Sequence, residues 1–334
     1  METTLCDTSC QNRRASPPTK LSAMEGARRG NLVDLKNVRG DIRAVFGDLQ
    51  ARYEAKGAVG MVKTSFDSLD LVLGGGIEPG SLVVVAGRPG AGRTSFCANM
   101  VAAYAPKEEV GLFCAFFQLR KTSQQMLRKI LALKSRVDEG RMMCGHFHDT
   151  DWPRLQRSAD ALFKSNIHLF DRVGSEVTDL DSIKRTIDAF RSQELLGPVV
   201  IDSLQDFCAW VVDQDAKYAA HTEFCYEMKR LAIEMDIPIV VTSSVNSTWE
   251  KRRDTRPLLS DLTGVAGNTA DIADVVLFVH RESQDCLHCL KNDGSCTAGH
   301  ERLLEIIVAK NSSGPVGCTV PLCFCPEHGA ITEF

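Results

Sequence analysis

The sequence contains 334 residues, of which 44% are hydrophobic and 25% are charged, and its 39 Lys and Arg against 43 Asp and Glu give a net charge of −4. These fractions are those of an ordinary globular chain with enough apolar side chains for a large core, which excludes global disorder. The balance of charge excludes nucleic-acid binding through an overall positive charge, so such a contact needs a local basic patch.

No apolar run approaches the roughly 20 residues that a membrane-spanning helix needs, and residues 1–20 lack the apolar stretch of a secretory signal. The sequence therefore predicts a cytoplasmic protein without a membrane contact. In the reducing cytosol the 13 cysteines would be thiols, and clusters of Cys and His there favour a metal site over disulfides.

Two short segments precede the main domain. Residues 1–25 are polar with few large apolar side chains, which predicts a flexible tail. Residues 26–59 contain one amphipathic helix, because large apolar residues recur at helical spacing over 31–56. This helix packs either on its own domain or on a neighbouring subunit, and the pattern fits both.

From residue 60 onward, short apolar runs alternate with helical patterns. Most runs are apolar at every position, as in strands covered on both faces, and the stretches between them are long enough to cross over between parallel strands. The predicted strands are 81–86, 110–117, 167–170, 198–201, 237–242, 275–279 and 304–308. We therefore predict an α/β domain over 60–334, with a mostly parallel twisted sheet flanked by helices.

A glycine-rich loop directly follows the first predicted strand. Residues 87–94 match the phosphate-loop pattern G-x-x-x-x-G-K-[ST], except that Arg93 stands at the lysine position. Backbone N–H groups of such a loop surround phosphates, and the next helix presents its positive end to them. The predicted nucleotide-binding residues are Gly87, Gly90, Gly92, Arg93, Thr94, Ser95 and Asp202.

Asp202 ends an apolar strand, which is the arrangement that holds Mg²⁺ through water in phosphate-loop enzymes. Thr94 would place its hydroxyl on the same ion, so ATP and Mg²⁺ are the predicted cofactors. Arg93 fits this site poorly, because guanidinium is a wide planar fork whereas the lysine ammonium is a compact point charge.

Four further stretches carry a resemblance to a known family: 64–80 before the glycine loop, 200–205 around Asp202, 256–282, and 309–317. Together they resemble the C-terminal motor domain of the DnaB-type replicative DNA helicases. The resemblance covers about residues 60–334. It implies a RecA-like phosphate-loop fold, ATP-dependent work on single-stranded DNA in replication or recombination, and a ring of subunits such as a hexamer.

The resemblance also implies where the catalytic groups would lie, and several of them are altered. Arg93 replaces the lysine, and Arg120 replaces the glutamate that orients the attacking water. Ser244 stands for a glutamine, and Ser312 for an arginine that reaches the nucleotide of the adjacent subunit, while Lys310 beside it keeps the family residue. These changes predict little or no ATP hydrolysis. The alternative is that Glu108 or Glu109, near the start of the same predicted strand, serves in place of the glutamate.

The expected partners follow from the same resemblance. They are single-stranded DNA and either copies of this chain or a related active helicase in a mixed ring. The family's N-terminal helical domain forms the ring collar and contacts primase, and the 60 residues before the motor domain cannot replace it, so primase contact is not expected. Residues 31–56 resemble instead the linker helix that packs on the neighbouring motor domain.

A basic segment lies at 250–256, after a predicted strand end and beside Trp249. Cations next to an aromatic ring suit contact with phosphates and stacking on bases, and DnaB-type rings present loops to DNA at this point. The alternative is a solvated charge run, which the two carboxylates in the segment favour. The candidate DNA-binding residues are Lys251, Arg252, Arg253 and Arg256.

Two groups of Cys and His occur near the C-terminus. Cys286, Cys289, Cys296 and His300 follow the pattern C-x2-C-x6-C-x3-H across a predicted hairpin at 285–301, and such a set can close a tetrahedral zinc site. The alternative is a reduced surface hairpin. The second group, Cys323, Cys325 and His328, belongs either to the core or to a second metal site.

Three functions remain open at this point. The chain is an ATP-driven DNA helicase or translocase, a nucleotide- or DNA-binding regulator that no longer hydrolyses ATP, or a zinc-stabilised interaction module with vestigial nucleotide binding. DNA-stimulated ATP turnover separates the first two, and nucleotide binding separates the second from the third.

Overall fold

The computed structural model describes residues 38–54, 60–105, 113–172, 179–190, 196–209, 213–262, 268–284, 286, 289 and 300–334. The chain divides into two units, residues 1–51 and 52–334. Helix α1 (Val38–Glu54) supplies the described part of the first unit and confirms a helix within 31–56. Its side chains Ile42, Val45, Phe46 and Leu49 are exposed. The predicted tail at 1–25 lies outside the described residues.

The second unit is built on one sheet, whose described strands have the order β3-β2-β4-β5-β1-β6-β7-β8-β9. The strands are β1 (Leu82–Gly87), β2 (Phe113–Gln118), β3 (Ile167–Asp171), β4 (Leu196–Asp202), β5 (Ile239–Ser244), β6 (Val275–His280), β7 (Leu303–Asn311), β8 (Cys318–Cys325) and β9 (Ala330–Thr332). Strands β1 to β6 pair in parallel, and β7, β8 and β9 extend one edge in antiparallel fashion. The predicted mostly parallel α/β sheet is therefore confirmed.

Helices cover both faces of this sheet. They are α2 (Asp67–Val72), α3 (Arg93–Ala102), α4 (Ser123–Ser135), α5 (Glu139–Cys144), α6 (Asp151–Phe163), α7 (Leu180–Ala189), α8 (Leu204–Phe207), α9 (Gln214–Met235) and α10 (Thr269–Ile272), with short 3-10 turns at Ser247–Lys251, Leu259–Leu262 and Glu282–Gln284. Several of these helices begin after a residue whose side chain accepts a hydrogen bond from a backbone N–H of the first turn. At α4, Thr122 and Gln125 form a capping box.

Alternate residues of β1 enter two separate cores. Val83 and Val85 pack on one face with Phe96 of α3, whereas Leu82 and Val84 pack on the other face with residues of α7 and α9. Successive side chains of a strand point to opposite faces, so a strand between two helical layers must be apolar at every position. This is why β1 reads as an uninterrupted apolar run in the sequence.

Of the antiparallel edge, β7 confirms the strand predicted at 304–308, whereas β8 and β9 are not among the predicted strands. In β8 buried residues alternate with more exposed ones, and the strand contains Pro321 and three cysteines. Leu322 and Phe324 enter the core, while Cys323 and Cys325 lie half-buried on the opposite face. A strand with one covered face alternates in polarity, so it lacks the uniform apolar run that marks the central strands.

Candidate nucleotide-binding site

The carboxyl ends of four parallel strands meet at one edge of the sheet. In the register, Gly87 at the end of β1 pairs with Ser244 at the end of β5, and Gln118 at the end of β2 pairs with Asp202 at the end of β4. Open α/β sheets bind ligands outside this edge. The topology thus brings together residues that are far apart in the sequence.

The phosphate loop joins β1 to α3. Gly90 and Gly92 adopt φ values of 79° and 109°, in the left-handed region that other residues avoid. Helix α3 begins at Arg93 directly after Gly92, and no side chain caps its first N–H groups. Those groups are therefore directed at the mouth of the loop, where an anion would complete their hydrogen bonding.

Asp202 is the centre of a polar network beside the loop. Its Oδ2 accepts hydrogen bonds from the hydroxyl of Thr94 at 2.7 Å and from Nε2 of Gln118 at 2.8 Å, and its Oδ1 accepts one from the hydroxyl of Thr242. Asp202 is buried. A carboxylate and a threonine hydroxyl in contact are oxygen donors of the kind that Mg²⁺ prefers, so these two residues fit that ion.

Arg93 and Ser244, two of the altered positions, are in direct contact. The Arg93 guanidinium donates to Oγ of Ser244 at 3.2 Å, so its side chain lies along the end of β5. Burial lowers the pKa of Arg93, and the nearby carboxylate of Asp202 opposes that shift. Arg93 therefore places a partly desolvated cation at the edge of the site.

Arg120 is held by a carboxylate that the sequence did not single out. Its guanidinium lies 2.9 Å from Oδ1 of Asp206 in α8, and the hydroxyl of Ser203 donates to the other oxygen of Asp206 at 2.6 Å. Arg120 is largely exposed. Gln118, the polar last residue of an otherwise apolar strand, was also missed, although that position at a strand end was a usable signal.

Lys310 and Ser312 lie elsewhere on the sheet. Lys310 pairs with Val276 near the amino end of β6, whereas Gly87 pairs with Val279 near its carboxyl end. The ammonium of Lys310 donates to the carbonyls of Ala270 and Asp271, both at 2.9 Å. The hydroxyl of Ser312 donates to a backbone carbonyl as well. Within one chain, the structure does not bring these two residues to the phosphate loop.

Two of the candidate DNA-binding arginines form ion pairs within the chain. Arg252 donates two hydrogen bonds to the buried carboxylate of Asp261, at 2.9 and 2.6 Å. Arg256 donates two to Glu305, at 3.0 and 2.8 Å. These hydrogen bonds raise the pKa of each arginine. Both arginines thus have a structural role that the sequence did not predict.

The remaining candidates differ in position. Arg253 is exposed, and the side chain of Lys251 lies outside what the structure describes. The guanidinium of Arg88, a residue of the phosphate loop, lies over the ring of Trp249, 3.6 Å from the ring centre. The basic segment therefore touches the phosphate loop through one stacked pair.

Three of the four predicted zinc ligands lie together. The ligand atoms of Cys286, Cys289 and His300 are all within 4.8 Å of one another. Cys296 lies outside the described residues, and its role stays a prediction. Within the described part of the chain, Cys323, Cys325 and His328 form no such group.

No described helix is both long and apolar enough to cross a bilayer.

Comparison with known proteins adds sequence relatives and structural neighbours. A family model for the DnaB-like helicase C-terminal domain matches residues 61–333. The chain is 27% identical over 310 residues to the Replicative DNA helicase DnaC of Bacillus subtilis (strain 168), covering 93% of this chain and 64% of that protein. It is 31% identical over 273 residues to the Replicative DNA helicase DnaB of Pasteurella multocida (strain Pm70), covering 81% of this chain and 55% of that protein.

Among solved structures, the ATPase domain of G40P superposes with a TM-score of 0.76 at 23% identity, over 90% of this chain and 100% of that one. A DnaB-like replicative helicase, solved in a study of its interactions with primase, gives a TM-score of 0.74 at 23% identity, over 90% of this chain and 68% of that one. These likenesses support the RecA-like fold. The chain spans less than two thirds of the two curated relatives named above.

Proposed function

Because the chain belongs to the DnaB-like helicase C-terminal domain family, we propose that it binds ATP with Mg²⁺ and single-stranded DNA in replication or recombination, and that it hydrolyses ATP slowly or not at all. The named replicative helicases among its relatives support the first part. The observation that carries the second part is the ion pair of Arg120 with Asp206. By the family resemblance, Arg120 stands at the position of the glutamate that orients the attacking water.

Nucleotide binding rests on backbone and oxygen groups that this chain retains. The loop from Gly87 to Gly92 supplies the N–H groups, and Thr94 with Asp202 supplies the oxygens for Mg²⁺. None of these contacts needs a lysine side chain. ATP is therefore expected to stabilise the fold, and ligand at about 100 times its Kd should add about 2.7 kcal/mol.

Hydrolysis needs a general base and a compact cation, which the described residues of the site do not supply. A guanidinium stays protonated at any working pH, so Arg120 accepts no proton from water. The carboxylate of Asp206 is paired with that same guanidinium and accepts a hydrogen bond from the Ser203 hydroxyl. Catalysis of phosphoryl transfer is mostly positioning and charge stabilisation. Arg93, bound to Ser244, adds a bulky cation where a compact one would contact the outer phosphates.

The place of Lys310 and Ser312 supports an assembly of several subunits. Both lie away from the phosphate loop of their own chain, so in a ring they would face the nucleotide of a neighbour. There Ser312 supplies no cation, whereas an arginine finger contributes about 10³-fold or more in rate. A mixed ring with an active relative would restore that cation at the site of this chain.

We propose that single-stranded DNA contacts the exposed Arg253 and also Trp249, which lies close to it in the sequence. Contact of a cation with phosphates is independent of sequence and sensitive to salt. Zinc, the other ion that the sequence predicts, would take no part in this chemistry and would bind Cys286, Cys289 and His300, with Cys296 as the predicted fourth ligand.

ATP turnover at saturating ATP and single-stranded DNA tests the proposal. The unmodified chain should turn over more slowly than about 1 per second, the lower end of the usual enzyme range. Arg93→Lys combined with Arg120→Glu should recover more activity than either change alone. Asp206→Asn belongs in the same variant, because a new glutamate beside Asp206 would be repelled and its pKa raised.

Lys121→Glu is the matched control, since it makes the same charge change at the adjacent exposed residue and should recover nothing. Turnover of about 1 per second or faster by the unmodified chain would show that the catalytic groups lie elsewhere. A melting temperature that millimolar ATP with Mg²⁺ leaves unchanged would contradict nucleotide binding and favour the interaction module.

A further inference from the structure

We propose that Cys286, Cys289 and His300 hold a zinc ion, which ties the end of β6 to the start of β7 beside the phosphate loop. The inference deepens the zinc site named in the proposed function and assigns the ion a structural task at the nucleotide site, although none of these residues takes part in nucleotide or DNA chemistry. It rests on the position and chemistry of three described side chains and on one contact of the segment that carries them.

The geometry suits a small tetrahedral ion. The two sulfur atoms and the imidazole nitrogen lie within 4.8 Å of one another. Ligand atoms around zinc are roughly 3.5 Å apart, given Zn–S and Zn–N distances of about 2.3 and 2.0 Å. Small rotations of the side chains therefore bring all three onto one ion. Cys286 and Cys289 are half-buried and His300 is buried, so the group lies below the surface.

The donor set selects the metal. Two thiolates and an imidazole are soft and borderline ligands, which favour zinc over magnesium or calcium. The described ligands leave a fourth tetrahedral position to be filled. The phosphate loop and Asp202, in contrast, offer only oxygen and backbone donors. The chain thus presents two chemically distinct places for two different ions.

The ligands come from both ends of one connection. Strand β6 ends at His280, a 3-10 turn follows at Glu282–Gln284, and the cysteines come directly after it. His300 immediately precedes β7, whose Glu305 pairs with His280. An ion bound by both ends would link the turn after β6 to the start of β7, and a metal link of this kind stabilises the folded state.

The same connection touches the phosphate loop. Nε2 of Gln284 donates to the carbonyl of Pro89 at 3.3 Å. The approach is close, because a Cβ built on Gly90 would lie 2.9 Å from that nitrogen. A zinc ion two residues after Gln284 would therefore hold one wall of the nucleotide site in place, and its removal should weaken ATP binding.

Metal content is the decisive measurement, made on the full chain purified without a metal-binding tag. We expect one zinc per chain, and its loss in the variant with Cys286→Ser and Cys289→Ser. Cys144→Ser, at the exposed cysteine that ends α5, is the matched control and should keep the metal. Zinc below about one tenth per chain in the unmodified protein, or its retention in the double variant, would overturn the proposal.

Cobalt provides a second measurement that does not depend on how the variants fold. The unmodified chain is first freed of metal with a chelator and then titrated with Co²⁺. Its spectrum should show thiolate-to-cobalt charge transfer and the visible bands of a tetrahedral site. A spectrum without charge transfer would contradict cysteine ligands. Both readouts are independent of ATP, so they stand even when nucleotide binding fails, and a Gln284→Ala variant that keeps zinc but binds ATP less tightly separates the two effects.

Discussion

Asp202 illustrates how much one side chain organises in this molecule. It accepts hydrogen bonds from Thr94, Gln118 and Thr242, which lie on three different elements. Such bonds hold the carboxylate in one orientation before Mg²⁺ arrives. Preorganisation of this kind reduces what binding costs in lost freedom.

Asp202→Asn tests this residue. The amide keeps the size of the side chain and can still accept one hydrogen bond, but it loses the charge that attracts Mg²⁺. We expect ATP to stabilise the variant equally with and without Mg²⁺, whereas Mg²⁺ should strengthen the effect in the unmodified chain. Melting temperatures measure both, with Asp160→Asn on the exposed face of α6 as a control. A retained Mg²⁺ effect in Asp202→Asn would contradict the assignment.

The individual residues of the site differ in how far the sequence could predict them. The phosphate loop is local, so its glycines and Thr94 could be read from eight consecutive residues. The pairs Arg120–Asp206 and Arg93–Ser244 lie at the carboxyl ends of strands that are distant in the sequence and adjacent in the sheet. Spacing along one chain carries no information about such contacts, because the strand order decides them.

At the scale of the element, helix α9 contains a buried titratable group. His221 is buried, and its Nε2 has no hydrogen-bond partner among the described residues. Burial lowers the pKa of this imidazole from 6.5, and Lys217 one turn earlier lowers it further. The folded chain therefore binds a proton at His221 less readily than the unfolded chain does.

This difference predicts a loss of stability in mild acid. Since the pKa of His221 is lower in the folded state, its stabilising effect is complete above about pH 6.5 and declines as the pH falls below that value. The decline is at most about 1.4 kcal/mol per pH unit for one group. His221→Leu should make the free energy of unfolding depend less on pH between pH 7.5 and 5.5, as measured by denaturant titration. His146→Leu, at an exposed position, should leave this dependence unchanged.

Strands show the same contrast between local and distant information. The uniform apolar run of β1 predicts a strand buried on both faces, and the structure agrees. Strands β8 and β9 are the outer two strands of the antiparallel edge, and in β8 buried and more exposed residues alternate. The alternating pattern of β8, with Pro321 and three cysteines, lacks the uniform apolar run of a central strand, and the pairing with β7 identifies it.

At the scale of the whole molecule, the arginines of the basic segment separate into two groups. Arg252 pairs with a buried carboxylate, and removal of one partner from a buried ion pair leaves the other uncompensated at a cost of about 3–5 kcal/mol. Arg253 is exposed and forms no ion pair of this kind among the described residues. The two neighbours are therefore a natural pair for mutation.

Arg253→Ala should weaken the binding of single-stranded DNA and reduce the slope of log K against log salt by about 0.7, with the melting temperature unchanged. Arg252→Ala should instead lower the melting temperature markedly. Fluorescence anisotropy with a labelled oligonucleotide at several salt concentrations measures the first effect. Equal DNA affinity of Arg253→Ala and the unmodified chain would exclude this segment as the DNA contact.

The stacking of Arg88 on Trp249 connects the proposed nucleotide site to the proposed DNA-binding segment in a way that does not require hydrolysis. A filled phosphate loop offers Arg88 an anion, and an indole released from that guanidinium is available to a base. A cation–π pair contributes about 0.5–2 kcal/mol, so nucleotide and DNA would alter each other's affinity by roughly two- to thirty-fold, equally in both directions. A subunit that never hydrolyses ATP would then signal to the DNA strand whether ATP is bound, and so act as a sensor within the assembly.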